Sequence, residues 1–270
     1  MRKPRLFLLA AALAVLPISA LAESQVVVLQ SAASLTGLAP FFSDVRLYNA
    51  AVSHSLDVTA TYRCFIGTCP STPPQATFHL AATESLALDD IVVNTFATPD
   101  TGGAVEFAFD GFPNQLVVTS RLYSTSPEPT VGMFVPGVPS TQTYVNNVLT
   151  SVRNGGSGDG FRTNVGVFNP GDTAEDVQIS LSDGLDPIGL FVFRTVPPHS
   201  GVQINQIFAA FGDSGHATQN GVVTVFSHNP VMAYAAVVDN NTQDPYYVVG
   251  SNGFTDQPPA LRSPKTRSSD

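Results

Sequence analysis

Residues 41–49 of this 270-residue chain read FFSDVRLYN, and residues 161–169 read FRTNVGVFN. The two stretches share their first phenylalanine, their central valine and their closing asparagine. Weaker matches continue along the chain in the same order, at an offset that drifts from near 120 to about 115 residues. A period above about 100 residues indicates duplicated domains, because the repeats of a solenoid usually span only about 20–50 residues.

The repeated stretch alternates in polarity, which predicts a half-buried β-strand. In the first copy Val45, Leu47 and Asn49 point one way, while Arg46 and Tyr48 point the other. Other apolar runs alternate in the same way and are separated by turn signals at residues 110–111, 169–171, 182–184 and 229–230. With 21 Gly, 21 Pro and only 12% charged residues, the composition is typical of a β-rich exported protein.

Two segments depart from this alternation. In residues 88–96 and in their counterpart, residues 204–211, the apolar residues recur at spacings of three and four. This spacing predicts one short helical segment in each copy.

Each copy of about 115 residues, with roughly seven predicted antiparallel strands, resembles an immunoglobulin-like β-sandwich. The chain has no Trp and no pair of Cys placed to link two sheets, so it does not match antibody-type domains. It is similar instead to exported bacterial proteins with tandem immunoglobulin-like domains. The resemblance implies an all-β fold of two sandwich domains. Its expected divisions are domain 1 at residues 23–137, a linker at 138–142, domain 2 at 143–253 and a disordered tail at 254–270.

The N-terminus predicts export from the cytoplasm. Three of the first five residues are basic, residues 6–18 are apolar, and residues 20–22 form an A-x-A cleavage motif. We therefore expect residues 1–22 to be a cleaved signal peptide, with an uncleaved anchor as the alternative. No later segment is long and apolar enough to cross a bilayer, so the mature chain is predicted to be periplasmic or secreted.

The charge distribution excludes several classes of partner. The net charge is −9, and cleavage after residue 22 would remove three positive charges and no acid, giving −12. Between residues 23 and 252 the basic residues are six scattered Arg, with no Lys. Nucleic-acid binding requires clustered cations, so it is excluded. The expected partner is a protein or a surface glycan.

Cys64 and Cys69 are the only cysteines. In an oxidising compartment they are predicted to form a disulfide that closes a small loop. A loop this short adds about 2 kcal/mol of stability at most. An alternative is that the loop presents Phe65 and Ile66 to a partner. The second copy has no equivalent cysteines, so the bond belongs to domain 1 alone.

One motif bears on catalysis, and one residue type bears on metal binding. Residues 212–215 read GDSG, like the segment around the nucleophile of chymotrypsin-like proteases, with Ser214 in the place of that nucleophile. The motif lies where the first copy has a surface turn, and turns favour the same residues. The five His, at positions 54, 79, 199, 216 and 228, show no metal-binding spacing and are expected to face solvent. No catalytic residue, metal or cofactor is predicted.

A final candidate lies near the end of domain 2. Asp239–Asp244 (DNNTQD) is rich in oxygen ligands and could bind calcium, although its spacing is not that of a calcium loop. Tyr246 and Tyr247 follow and could stack on a sugar, with alternate burial in a strand as the simpler interpretation. The chain is therefore predicted to be a non-catalytic structural, adhesive or protein-interaction module. A carbohydrate-binding module, possibly calcium-assisted, is the alternative, and a serine hydrolase comes third.

Overall fold

The chain is an all-β protein in the computed structural model, with 64% strand, 4% helix and antiparallel sheets. The structure describes residues 24–33, 40–125, 130–156 and 160–253. The predicted signal peptide at residues 1–22 and the predicted tail at residues 254–270 lie outside the described residues. The prediction of an all-β antiparallel fold is confirmed.

The first half of the chain forms one sheet of eight strands, in the order β4-β3-β6-β1-β8-β7-β2-β5. The sheet is nearly barrel-shaped. Its elements are β1 (Ser24–Ala33), β2 (Phe42–Asn49), β3 (Leu56–Gly67), β4 (Gln75–Leu80), β5 (Ser85–Leu88), α1 (Ile91–Asn94), β6 (Thr101–Phe109), β7 (Leu116–Ser124) and β8 (Val131–Pro139).

The second half forms a sheet of nine strands, in which β12, β11, β15, β10 and β14 are successive neighbours. Outside this path, β13 pairs with β11, β16 with β15, β9 with β15, and β17 with β9. Its elements are β9 (Tyr144–Gly155), β10 (Phe161–Asn169), β11 (Glu175–Asp183), β12 (Asp186–Pro187), β13 (Val192–Val196), β14 (Ser200–Ile204), α2 (Ile207–Ala210), β15 (Ala217–Asp239), β16 (Pro245–Val249) and β17 (Ser251–Asn252).

The stretch at residues 41–49 forms β2 and shows the predicted alternation. Val45, Leu47 and Asn49 are buried, whereas Arg46 and Tyr48 are exposed. The side-chain period of two in a strand places the three buried residues on one face.

The closing asparagine of each repeat is buried because it satisfies the backbone of the chain that follows. The amide nitrogen of Asn49 donates to the carbonyls of His54 (2.9 Å) and Ala81 (3.0 Å). Its oxygen accepts the N–H of Ala51 at 2.9 Å. A buried backbone group without a partner would be costly, so this side chain fixes the turn after β2.

Asn169 plays the same part after β10. Its amide nitrogen donates to the carbonyls of Thr173 (2.7 Å) and Val196 (3.2 Å). Its oxygen accepts the N–H of Gly171 at 2.9 Å. The asparagine that the two stretches share therefore has the same structural role in both halves.

Strand neighbours also agree between the halves. In the first, β2 lies between β5 and β7, with Val45 opposite Leu88 and Ser120. In the second, β10 lies between β14 and the end of β15, with Val165 opposite Ile204 and Ala235. Val45 and Val165 are the central valines of the two similar stretches, so residues that match in sequence hold matching places in the sheets.

Both predicted helical segments contain a helix, α1 and α2, each of four residues. The residue before each helix has a positive φ, 42° at Asp90 and 50° at Gln206. Its N–H donates at 3.0 Å to a side-chain oxygen from the repeated stretch, Asp44 in the first half and Asn164 in the second. These paired bonds hold each helix against the adjacent sheet. The prediction of one short helix in each half is confirmed.

The predicted turn at residues 229–230 is wrong. Residues 228–230 lie within the 23-residue strand β15, at the point where its pairing shifts. The carboxylate of Glu175 accepts the N–H of His228 and, at 2.8 Å, that of Asn229. It also accepts the side-chain amide of Asn229 at 2.8 Å. These bonds satisfy the backbone there, so the strand continues without the turn that separates β6 from β7 in the first half.

The two halves meet along a third apolar cluster, here called the seam. Two larger apolar clusters form the cores of the halves, and the core of the first half also includes Ala236 of the second. The buried members of the seam are Val27, Leu29, Ala104 and Val138 from the first half and Phe168, Met232 and Tyr234 from the second. Tyr234 and Tyr247 stack with ring centroids 5.4 Å apart. The strands that contribute to the seam are buried on both faces.

The segment predicted as a linker, residues 138–142, begins inside β8. Val138 and Pro139 pair with Val27 and Val26 of β1. The N–H of Ser140 then donates to the carbonyl of Gln25 at 2.9 Å. The chain thus passes from one half to the other while still bonded to the first sheet.

The environment of Glu175 predicts how the free energy of unfolding depends on pH. Burial favours the neutral acid, but the hydrogen bonds from Asn229 and His228 outweigh burial and hold the pKa of Glu175 below its ordinary value. A lowered folded-state pKa stabilises the fold above the unfolded-state pKa, and this contribution is lost as pH falls through the folded-state pKa. Glu175→Gln should therefore lower the free energy of unfolding by about 1–3 kcal/mol at pH 7.

Urea denaturation between pH 3 and pH 7 tests this prediction. The difference between wild type and Glu175→Gln should shrink as the pH falls. Asp110→Asn, which changes an exposed carboxyl in a turn, is the control and should follow the wild-type curve. A difference that stays constant across this pH range would contradict the assigned role of Glu175.

The packing of Tyr234 over Gly166 predicts that a larger residue at position 166 destabilises the protein. A Cβ added there would lie 2.1 Å from the ring of Tyr234, a contact that real Cβ atoms do not make. Gly166→Ala should cost about 1–3 kcal/mol of unfolding free energy and displace the tyrosine ring. Gly215→Ala is the matched control, because a Cβ there meets nothing within 4 Å. Equal unfolding midpoints for the two variants would contradict this packing.

Candidate functional site

A polar cleft of about 410 Å³ lies on the second half of the chain. Five segments contribute to it: the end of β9, the start of β10, the α2 region, the loop before β15 and the loop before β16. The residues that line it are Asn154, Gly156, Phe161, Arg162, Gln206, Ala209, Ser214, Asn240 and Gln243. Most are amides or other uncharged polar residues, so the cleft offers both hydrogen-bond donors and acceptors.

Arg162 is the charged residue of this lining. Its two terminal nitrogens donate to the amide oxygens of Asn240 (2.6 Å) and Gln243 (3.1 Å). Among the described residues, no carboxylate lies within ion-pair distance of its guanidinium. Burial lowers the pKa of Arg162 because it removes water from the charged form. Neutral amides therefore orient the guanidinium of Arg162, and burial removes part of its hydration.

A second guanidinium lies behind one wall of the cleft. The Arg153 guanidinium carbon is 3.7 Å from the ring centroid of Phe161, which lines the cleft. One of its terminal nitrogens donates to the amide oxygen of Gln219 at 3.1 Å, and its Nε is buried with no partner in the described part of the chain. One cation thus lies against Phe161 and another lies in the same lining, in a protein that carries a net charge of −9.

The predicted calcium loop, Asp239–Asp244, contributes Asn240 and Gln243 to this cleft. The carboxylate of Asp239 instead accepts the N–H groups of Asn241 (2.7 Å) and Thr242 (3.3 Å). Such bonds stabilise a tight polar turn. Within the described ranges, no group of three or more His, Cys, Asp or Glu side chains is placed to hold a metal ion.

Tyr246 and Tyr247 do not share an exposed face. The hydroxyl of Tyr246 donates to the carbonyl of Ser151 at 2.5 Å. Tyr247 stacks on Tyr234, its hydroxyl is buried, and burial raises its pKa well above the ordinary value. A sugar-stacking platform built from both rings is therefore wrong. Both tyrosines lie in β16 and are partly buried.

Ser214 is exposed at the rim of the cleft and is not part of a catalytic triad in the described structure. The nearby imidazole of His216 faces carboxylates on both sides, with Nε2 3.0 Å from Asp183 and Nδ1 3.5 Å from Asp213. Hydrogen bonds from Thr218 and His216 lower the pKa of Asp183. His216 is half-buried, and its contacts with the two carboxylates hold the loop that precedes β15 in place.

The prediction that all five histidines face solvent holds for three of them, at positions 54, 79 and 228, and is wrong for His199 and His216. His199 lies at the edge of the seam, where its Nε2 is 2.8 Å from the Asp172 carboxylate. Its Nδ1 is 3.8 Å from Glu106, a 3%-exposed carboxylate that also pairs with Arg63. This cluster crosses between the two halves.

Cys64 and Cys69 are bonded in the structure, with Cα atoms 5.5 Å apart. Between them, Phe65 does not project into solvent as a contact point. Its ring packs on the seam and fills the space at Gly201 of the second half, where an added Cβ would lie 2.6 Å from it. The proposed contact with an outside partner is thus corrected to a contact within the chain.

An apolar surface lies on the second half, between the turn after β11 and the strand β13. Ten large hydrophobic residues of the described chain are exposed, and four of them are Leu185, Leu190, Phe191 and Phe193. The rings of Phe191 and Phe193 meet edge to face, with centroids 6.5 Å apart. We call these four residues the Leu185–Phe193 edge, because β13 pairs with β11 alone and forms an edge of its sheet.

Sequence reasoning found the loop at residues 239–244 but missed the other parts of the cleft and this apolar edge. One signal was present: Arg162 stands where the first repeat has Phe42, so a strand residue is exchanged for a cation.

In comparisons with known proteins, no family model matches the chain, and no curated protein is significantly similar to it. None of the helices described is long and apolar enough to span a bilayer.

Proposed function

We propose that this protein is a non-catalytic exported module that binds a protein partner through the Leu185–Phe193 edge. The observation that carries the proposal is the concentration of four exposed large hydrophobic side chains within nine residues, beside an edge strand. Exposed apolar side chains grouped on one surface are a common mark of an interaction site. An edge strand adds unpaired backbone groups to which a strand of another protein can bond.

The proposal includes the finer architecture, two tandem immunoglobulin-like domains that arose by duplication. Support comes from the matching neighbours of β2 and β10 and from the matching asparagines at their ends. The two helices, each held by a side chain of the repeated stretch, are further support. Sandwich domains of this kind present loops and sheet edges on a rigid frame, which suits a binding function.

Export is part of the same proposal. The basic, apolar and small-residue segments at residues 1–22 predict a signal peptide, and the bonded pair Cys64–Cys69 suits an oxidising compartment. The partner is therefore expected in the periplasm, at the cell surface or in the medium of the host cell.

Mutation of the apolar edge tests the proposed function. The double variant Phe191→Ser/Phe193→Ser should lose capture of partner proteins from envelope and culture-medium fractions of the host. A buried aromatic anchor typically contributes about 2 kcal/mol or more to binding, so affinity should fall by about tenfold or more. Capture by immobilised residues 23–270, followed by titration of each captured protein, provides the measurement.

Phe112→Ser is the matched control. Phe112 is 64% exposed and Phe193 is 62% exposed, but Phe112 lies in a turn of the first half, away from β13. The control should retain wild-type capture. Proteins that bind the wild type and both variants equally would overturn the proposal, as would the absence of any protein that the wild type captures selectively.

Carbohydrate binding is a second candidate function, and the polar cleft is the observation that favours it. The side chains of Arg162, Asn240 and Gln243 are already oriented by hydrogen bonds, and preorganised polar groups of this type bind sugar hydroxyls with little entropic cost. Calcium assistance is not supported, because the Asp239 carboxylate is engaged with its own loop.

The third candidate, a serine hydrolase, makes a direct prediction at Ser214. Because His216 is held between two carboxylates and does not contact Ser214 in the described structure, we expect an unactivated hydroxyl. A fluorophosphonate probe should not label the protein. Labelling that disappears in Ser214→Ala would establish a nucleophile and refute the non-catalytic assignment.

A further inference from the structure

The polar cleft on the second half has an unusual charge for this protein. Arg162 lies in its lining and Arg153 lies against Phe161, one of its walls. Neither guanidinium is within ion-pair distance of a carboxylate in the described ranges, although the chain carries 21 acidic residues and 12 basic ones. Arg46 and Arg63, by contrast, each pair with an acid in the first half.

Within the part of the chain that the structure describes, three acidic residues near the cleft contact other groups. Asp239 accepts N–H groups of its own loop, and Asp213 and Asp183 face the ring of His216. Asp244 is exposed, outside the lining. The described lining therefore combines one cation, Arg162, with neutral amides, and a second cation, Arg153, lies against its Phe161 wall. This arrangement favours an anionic ligand.

The geometry of Arg162 leaves donors for such a ligand. A guanidinium has five N–H groups, and hydrogen bonds to Asn240 and Gln243 use one on each terminal nitrogen. Those two bonds leave three of the five N–H groups unused. Because the two amide oxygens fix its plane, the guanidinium is preorganised for a bidentate bond to a carboxylate.

The rest of the lining is suited to hydroxyl groups. The side chain of Gln206 is exposed and makes no hydrogen bond in the described part of the chain, so its amide can donate and accept. Phe161 and Ala209 are the larger apolar contributions to the lining. A volume of about 410 Å³ is sufficient for one or two sugar rings, since small-molecule sites span roughly 300–1,000 Å³.

We propose that this cleft binds an acidic saccharide, with the carboxylate of a uronic acid on Arg162 and sugar hydroxyls on Gln206 and Gln243. The inference rests on the carbohydrate-binding candidate and is independent of the Leu185–Phe193 edge. Tyr246 and Tyr247 take no part in this site, because they contact the carbonyl of Ser151 and the ring of Tyr234.

Calorimetric titration with a galacturonic acid tetramer tests the inference. The matched probe is the same tetramer with its carboxyl groups methyl-esterified, which keeps the rings and hydroxyls and removes the charge. The acid form should bind at least tenfold more tightly than the ester, because a charge-assisted bidentate bond is lost. The difference should diminish at high salt.

Three variants locate the site. Arg162→Gln should weaken binding of the acid form about tenfold or more and abolish the preference over the ester. Gln206→Asn, which shortens the side chain and tolerates the positive φ at that position, should weaken both forms several-fold. Arg121→Gln is the control, because Arg121 lies over Tyr123 in the first half, and it should leave binding unchanged.

The outcomes separate this inference from the proposed protein-binding function. Equal binding of acid and ester, unchanged affinity in Arg162→Gln, or no binding of either tetramer at millimolar concentration would each overturn the acidic-saccharide site. Phe191→Ser/Phe193→Ser should bind the tetramer as the wild type does. Circular dichroism melts of each variant confirm that a loss of binding is not a loss of folding.

Discussion

The second half contributes Tyr234 to the seam, the apolar cluster through which the two halves meet, and the ring is placed there by its packing over Gly166 of the neighbouring strand. Gly166 leaves a space on the outer face of β10, and the tyrosine ring fills it and stacks on Tyr247. The Tyr234 hydroxyl donates to Gln203 at 2.8 Å, so its polar end is satisfied as well. The burial of these aromatic rings stabilises a fixed interface between the two halves, in contrast to a flexible connection. The seam engages Tyr247 and Phe65, so neither acts as an outside contact, and binding is left to surfaces that the seam does not cover.

Strands and helices could be predicted from the sequence where they depend on the spacing of apolar residues within a short segment. The alternation around Val45 predicted a strand, the spacing at residues 88–96 and 204–211 predicted helices, and the structure contains all three. These predictions succeed because the period of apolar residues reflects which face of an element is buried. The shared asparagine was visible in the sequence, but its role was not, since its partners lie up to 32 residues away.

The seam and the cleft were not predictable in the same way, because each joins segments that are distant in the chain. The seam did leave a trace: residues 26–29 read VVVL and residues 231–238 read VMAYAAVV, continuous apolar runs that indicate strands buried on both faces. The cleft left almost no trace in the sequence. Asn154, Arg162, Gln206 and Gln243 are ordinary polar residues in sequence, and only the sheet brings them to one surface. The turn expected at Asn229 failed for a related reason, since Glu175 reaches it from 54 residues away.

The connection between two equivalent strands differs between the halves, and this difference explains why the apolar edge lies on the second half. The segment between β3 and β4 and the segment between β11 and β13 occupy equivalent places, since β3 neighbours β4 and β6 as β11 neighbours β13 and β15. In the first half this connection holds the disulfide and directs Phe65 inward to Gly201. In the second half it leaves Leu185, Phe191 and Phe193 exposed. An apolar ring turned inward stabilises the contact between the two halves, whereas one turned outward carries a cost in solubility that a binding partner would offset. Both surfaces proposed for binding, the Leu185–Phe193 edge and the polar cleft, therefore lie on the second half.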